Sequence, residues 1–402
     1  MSHHQVPLGA IADLIRGITY KPTDVCDANA ASAVACMRTK NVQEALDESD
    51  IVWIPDSLIR NPAKYLKTGD ILVSSANSWN LVGKGCWVPE LKYAASAGGF
   101  ISILRGNPHA VDLRYLYHWF VSPQTQAKLR SYSNKTTNIS NLDHGRTLAT
   151  EIPLPPLEEQ RRIAAILDKC SAIQAADRER RETLGRFQAS YFHHLFGEPS
   201  AVSDNWPLKT VESCSTAIQT GPFGSLLHQS DYIQGGIPIL NPKHIANGVI
   251  ACGENETIGR DKAGEMILYQ LEKGDVLLAR RGEMGRCAVV TSKEDGWLCG
   301  TGSMFIRPLG GTLAPEYLCA LLSSQYMRSR LEKIAIGITL LNLNANIVGD
   351  LLIPVPPIAL QHRYAAVLAR LSALGDLTTR SALARSTATA SIQNKLLTAA
   401  GS

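Results

Sequence analysis

No apolar run in the sequence approaches the roughly 18 residues that a membrane-spanning helix needs, so no segment is expected to cross a bilayer. The opening stretch Met1 to Ala10 lacks the basic-then-apolar layout of a secretory signal. Cysteine is sparse and scattered: nine residues, an odd number, with no C-x-x-C pair. That usage fits a reducing cytoplasm better than a disulfide framework or a zinc site. Excess charge of one sign is also missing. Lys and Arg number 40 against 36 Asp and Glu, and a net charge of +4 does not by itself mark a nucleic-acid binder.

The common signatures of catalysis are absent as well. No G-x-x-x-x-G-K-[ST] phosphate loop exists, since Gly83-Lys84 lacks both the first glycine and the hydroxyl residue. No G-x-G-x-x-G fingerprint occurs. The N-P-P-[YF] turn that grips an exocyclic amine is missing, because Asn61-Pro62 continues as Ala-Lys and Asn241-Pro242 as Lys-His. The pairs His3-His4 and His193-His194 are sequence neighbours whose side chains diverge, which argues against joint metal binding. Asp70 with Glu90-Leu91-Lys92 resembles a metal-dependent nuclease carboxylate set, but Asp275, its counterpart further on, has no Glu-x-Lys after it. The sequence reads as non-catalytic, with no metal site.

What is present is a repeat. At 402 residues with 45% hydrophobic and 19% charged residues, the chain has material for two or three domains and a sizeable core. Pro153 to Leu167 reads PLPPLEEQRRIAAIL and Pro354 to Leu368 reads PVPPIALQHRYAAVL, identical at eight of fifteen positions. Chance would give about one. The same offset of 201 pairs Asn141-Leu142 with Asn342-Leu343 and Thr19 with Thr220. Gly69-Asp70-Ile71-Leu72 matches Gly274-Asp275-Val276-Leu277 at a slightly larger offset, and Pro7-Leu8 matches Pro207-Leu208 at a slightly smaller one.

Each copy divides at its proline-rich junction. Upstream, short apolar runs with glycine breaks predict strands at Ile71 to Val73, Phe100 to Leu104, Val276 to Leu278 and Met304 to Ile306. Helices are predicted at Leu113 to Phe120 and Pro315 to Leu322. Downstream, Leu157 to Phe196 holds no proline and one glycine, Gly185. There a four-three stripe runs through Ile166, Cys170, Ile173, Leu184 and Phe187, apolar at both ends and polar in the middle. Val367, Leu371, Leu374 and Ile392 hold matching places in the second copy. About 40 helical residues at 1.5 Å each make a rod near 60 Å long.

The fold class expected is therefore α+β. Two domains of about 150 residues alternate with two long helices that pair as an antiparallel coiled coil, in a pseudo-twofold tandem repeat. The boundaries fall at 1–153 and 199–354 for the domains, and at 154–198 and 355–402 for the helices. From Leu157 to Gly197 there are seven basic and six acidic residues, suggesting salt-bridged contact with a partner or the other helix. From Pro357 to Ser402 there are five basic and one acidic.

The IPLPPLEEQRRIAAIL and IPVPPIALQHRYAAVL junctions, leading from two α+β domains into two long helices, resemble the specificity subunit of type I restriction-modification systems. Gln219 to Ser225 and GDVLLARRGEMGR (Gly274 to Arg286) look like recurrent target-recognition segments, with Gly17 to Pro22 and GDILVSS (Gly69 to Ser75) as counterparts. The second junction departs from the pattern, carrying Ile358-Ala359-Leu360 where Leu-Glu-Glu is typical. The resemblance implies that each variable domain reads one half of a bipartite, asymmetric DNA sequence and that the helices set the spacer. It also implies two methyltransferase partners, which carry S-adenosylmethionine, and restriction subunits that join them; this chain itself would bind no cofactor. A specificity subunit of a methyltransferase-nuclease system outside type I, and the nuclease built on Asp70, Glu90 and Lys92, stay open as alternatives.

If the chain binds DNA, glycine-rich loops bearing Arg, Lys, Asn, Ser or Thr are the expected contacts, because small residues let the backbone approach and these side chains match base edges. Those in the first domain are Thr19, Tyr20, Lys21, Ser74, Ser75, Asn77, Lys84 and Lys135. Those in the second are Thr220, Ser225, Lys243, Arg280, Arg281, Arg286 and Thr339. Gln160 and Gln361, identical in the two junctions, are expected with the apolar stripe to serve helix pairing or a partner subunit.

Overall fold

The computed structural model describes residues 4–135, 139–197, 206–222, 226–246, 248–251, 256–335 and 342–371, with residues 373, 391 and 397. The chain forms two compact units: Met1–Arg178 with Arg380–Ser402, and Glu179–Thr379. The division falls inside one continuous helix, Leu157–Phe196, so each unit takes part of it.

In the first unit four antiparallel strands lie in the order Ala12–Arg16, Ile101–Gly106, Ile71–Ser74, Gly85–Trp87. Successive side chains of a strand point to opposite faces, and here both faces are covered. Ile71 and Val73 enter a core with Tyr115, Phe120 and Ile152, while Leu72 enters another with Ala35, Met37 and Ile103. This explains why the segment reads as an unbroken apolar run. The second core is backed by Ala33–Met37, antiparallel to Val52–Pro55 and parallel to Ala95–Ala97. Helices Leu113–Phe120 and Pro123–Ser131 follow, with N-caps Asp112 and Ser122. Phe100 lies outside the strand predicted for it, in the turn before Ile101, where Ile101 N–H bonds the Gly98 carbonyl at 2.8 Å.

The second unit repeats this plan. Its main sheet runs Ser215–Thr220, Ser303–Pro308, Val276–Ala279, Cys287–Val289, followed by helices Pro315–Ser323 and Gln325–Ile334. Val276 and Leu278 face one core and Leu277 another. Gly69 and Gly274 both sit at φ 93°, a left-handed turn that glycine adopts without strain. The aspartate after each is buried. Asp70 accepts from Arg105 Nε and Nη2 at 2.7 and 2.6 Å and from the Lys67 N–H. Asp275 accepts from Arg307 Nε and Nη2 at 2.8 and 2.9 Å and from the Glu272 N–H.

The repeated junctions attach each helix to its own domain. The prolines extend strands Glu151–Pro153 and Leu352–Pro354, which pair with Gln5–Pro7 and Leu208–Thr210. The Tyr115 hydroxyl donates to the Pro153 carbonyl at 2.7 Å, and Tyr317 does the same to Pro354 at 2.8 Å. Gln160 is buried; its Oε1 accepts the Asp112 N–H at 2.8 Å and its Nε2 donates to the Pro155 carbonyl at 2.7 Å. Gln361 accepts from Ala314 and donates to Pro356 at the same two distances, and to Thr312 at 3.1 Å. The expected pairing role of these two glutamines is thus replaced by an internal one. A buried amide must spend its donors and acceptor, and the nearest orphan groups are the N-terminal N–H of a helix and the carbonyls of a proline run.

The helix stripe also needs correction. Ile163, Ala164 and Leu167 are buried at the start of Leu157–Phe196, and Phe192 and Phe196 at its end, whereas Ile173 and Phe187 are exposed. Ile166 and Leu184 are half-buried, as are Val367 and Leu371; Leu374 and Ile392 lie outside the described residues. The buried face is set by docking onto the domains, which turns it away from the predicted seam. In the second unit Phe192 stacks on Tyr317 and Phe196 meets Tyr364, on the helical segment 358–371. In the first unit Leu397 is buried in the core that holds Tyr115, Ile163 and Leu167. Leu397 and Phe196 are 201 residues apart, as are Tyr364 and Ile163. Thus Phe196, at the end of Leu157–Phe196, meets segment 358–371 within the second unit, and Leu397 lies in the core that holds the start of Leu157–Phe196 within the first.

Candidate nucleic-acid interface

Three segments expected to contact DNA converge at one end of the first unit's main sheet. Ile18 N–H bonds the Ala97 carbonyl at 2.7 Å, and a Cβ on Gly17 would collide with the Gly98 carbonyl, so this crossing requires glycine. Thr19 emerges beside it, exposed, with its Oγ1 next to Gly99. From the adjacent strand, the Ser75 and Ala76 N–H groups both donate to the Phe100 carbonyl, at 2.8 and 3.2 Å. Asn77 pairs with Ser140, which in turn pairs with Lys135.

Polar side chains beneath this surface form a connected set. Ser75 Oγ donates to Ser102 Oγ at 2.7 Å, and Ser102 Oγ lies 3.1 Å from His144 Nε2. Burial, then the nearby Arg16 charge, keeps the His144 imidazole below its usual pKa. Ser74 is buried and its Oγ accepts from Asn77 Nδ2 at 3.0 Å, so it supports the loop instead of reaching outward. Tyr20 packs against the small core of Val34, Cys36 and Ile54, and burial raises its hydroxyl pKa. Lys21 is exposed, and its N–H donates to Asp24 at 2.6 Å. The Lys84 ammonium donates to Gln43 Oε1 at 2.7 Å.

The second unit assembles the same end from equivalent segments. A Cβ on Gly221, just after Thr220, would collide with the Gly300 carbonyl. Arg280 N–H donates to the Gly302 carbonyl at 3.1 Å, and Arg281 bridges to Asn342. Arg280, expected as a base reader, is buried: its Nε donates to Asn342 Oδ1 at 3.0 Å and to the Leu343 carbonyl at 3.1 Å. It straps the segment before the junction in place, and burial lowers its pKa. Arg281 is the exposed member of the pair. Arg286 is engaged by Glu283 at 2.7 Å, and Lys243 is ion-paired with Glu256. Lys243, Glu283, Arg286 and Arg328 line one cleft. Bonding from Arg286, then the charge of Arg328, holds the Glu283 carboxyl below its usual range. Ser225, Thr339 and the Lys135 side chain lie outside the described residues.

The family model for the type I restriction modification DNA specificity domain matches residues 7–184 and again 224–383, once in each copy. The chain belongs to this family. Among the relatives of this specificity subunit is that of the Escherichia coli K12 type I restriction enzyme EcoKI. It is 24% identical over 80% of this chain and 72% of its own length. The putative MjaX specificity subunit of Methanocaldococcus jannaschii is 23% identical over 83% of this chain and 78% of its own. The S subunit of the M. genitalium type I system, a crystal structure, shares the fold with a TM-score of 0.59 at 16% identity, covering 99% of this chain and 96% of that one.

The specificity subunit's one nuclease-like motif has a structural explanation. Asp70 is committed to Arg105 and Asp275 to Arg307 in the same geometry, so the repeated aspartate anchors each sheet instead of holding a metal. Among the described residues no three His, Cys, Asp or Glu gather as metal ligands, and no helix is long and apolar enough to cross a membrane. Sequence reasoning missed Ser102, His144 and Asn342. The pairing of Asn141 with Asn342 across the repeat was the available signal for the last of these.

Proposed function

We propose that this specificity subunit reads a split DNA target, one half with each unit, and that the helical segments fix the unspecified spacer and dock two methyltransferase subunits. Those subunits would supply S-adenosylmethionine and the transfer chemistry, and restriction subunits would join them to cut unmethylated DNA. The chain itself would contribute recognition only. One observation carries this reading: two units with the same frame and the same junction clasp carry different side chains at the same end. Ser75, Ala76 and Phe100 stand in one where Arg280, Arg281 and Gly302 stand in the other. An identical frame with different contact residues is what two recognition sites for different sequences require.

Long-read methylome sequencing of a host carrying the chain and its methyltransferase tests this directly. A split, asymmetric motif with an unspecified spacer is expected; a continuous palindrome would contradict it. Replacing residues 1–150 with those of another specificity subunit should alter one half of the motif, and a change in both halves would refute the division of labour. The mass of the purified assembly checks the partners: two separate methyltransferase chains per specificity chain are expected.

A further inference from the structure

We infer that Phe100 is a base-reading side chain of the first unit, packing its ring on the 5-methyl group of a thymine in the first half-site. This rests on the DNA-reading function proposed above. A single exposed apolar residue needs no explanation by itself. Phe100, however, is 64% exposed, against 49% for Phe187, 44% for Trp79 and 37% for Tyr326, and is exceeded by the aliphatic Ile267 and Leu268. It also follows Gly99, which lies against Thr19, and its carbonyl holds Ser75 and Ala76.

Its position is held from several sides. The Phe100 carbonyl takes two N–H bonds from Ser75 and Ala76, the Gly98 carbonyl takes the Ile101 N–H, and the turn is seated against Gly17. The ring is thus carried on a fixed turn, and so loses little freedom on meeting a ligand.

The second unit shows what this position is for. The carbonyl that accepts from Arg280 belongs to Gly302, so glycine stands there in place of Phe100. Conversely, Ala76 pairs with Asn141 as Arg281 bridges to Asn342, so alanine stands in the first unit where the second has an exposed arginine. Bulk and charge have changed places between adjacent strands of one frame. Arginine suits guanine O6 and N7, while an apolar side chain suits the thymine methyl, the one apolar group on the major-groove edges of the bases.

The test uses the full chain assembled with its modification subunits and duplexes bearing the target found by methylome sequencing. Each thymine of the first half-site is replaced in turn by uracil, which deletes only the methyl group. For the wild type, one such replacement should weaken binding about fourfold, the effect of burying one methyl. Phe100→Ala should bind more weakly to the intact target, be indifferent to that replacement, and respond as the wild type does in the second half-site. Its melting temperature should be unchanged, since the ring is exposed. The assignment is overturned if F100A keeps the thymine-uracil discrimination, binds as tightly as the wild type, or if the first half-site contains no thymine. A wild type that shows no sequence preference at all would instead sink the DNA-reading function, which the methylome reveals before any variant is made.

Discussion

At the level of single residues, the side chains most informative about the fold are polar and buried. Gln160 and Gln361 each tie a helix N-terminus to a proline carbonyl. Gln160→Ala should destabilise the first unit by about 1–3 kcal/mol, the range for stranding buried polar partners, and Gln361→Ala the second by as much. Urea unfolding of the full chain measures both. His118 gives a pH prediction. Burial lowers its pKa, against the opposing bond that its Nε2 makes to Asp168 Oδ1 at 2.7 Å. For Asp168, burial raises the pKa, but the bonds from Arg114 and His118 outweigh it and leave it below the usual value. In both cases the unfolded chain takes up protons first as pH falls, so stability is full above the unfolded pKa and declines with acidification. The urea midpoint should drop between about pH 7 and about pH 5, where histidine titrates. His118→Gln should flatten that part of the decline; an unchanged slope would contradict the assignment.

Among the elements, the long helix was legible in the sequence and its buried face was not. Freedom from proline and the apolar ends of Leu157–Phe196 marked the helix correctly. The four-three stripe pointed to a helix-helix seam, but Ile163, Leu167, Phe192 and Phe196 face domain cores, where no sequence period announces the partner. Phe192→Ala should therefore cost about 3–5 kcal/mol, as for other buried aromatics. Ile173→Ala and Phe187→Ala should stay within about 0.5 kcal/mol on the isolated chain. Thermal or urea unfolding separates the two groups. The glycine-rich loops show the same limit. Residue type picked out Thr19, Ser75 and Arg281, of which Thr19 and Arg281 are exposed, yet it could not show that Arg280, Ser74 and the Ser75 hydroxyl turn inward, because adjacent positions on a strand end are distinguished only by which face the core occupies.

In the molecule as a whole, the repeat organised everything else, since two copies of one pattern separate what the frame needs from what each unit does differently. Asp70 looked catalytic when taken alone; its pairing with Arg105, matched by Asp275 with Arg307, shows a structural part used twice. The net charge of +4 bears on binding at this scale. With few uncompensated cations, the isolated chain should bind DNA with a shallow dependence of log affinity on log salt, and an assembly with the proposed methyltransferase subunits with a steeper one. Equal slopes would place the phosphate contacts on this chain alone.

The glutamine clasps and the aspartate-arginine anchors have a consequence for how such a chain changes over generations. The parts that hold each unit together are buried, and they are separate from exposed positions such as Thr19, Phe100 and Arg281. On the function proposed above, substitutions at those tips should alter what is recognised at little cost in stability. Because both clasps share one geometry, a half inherited from a different lineage would find the same fittings waiting for it. New recognition could then arise by recombination as readily as by point mutation.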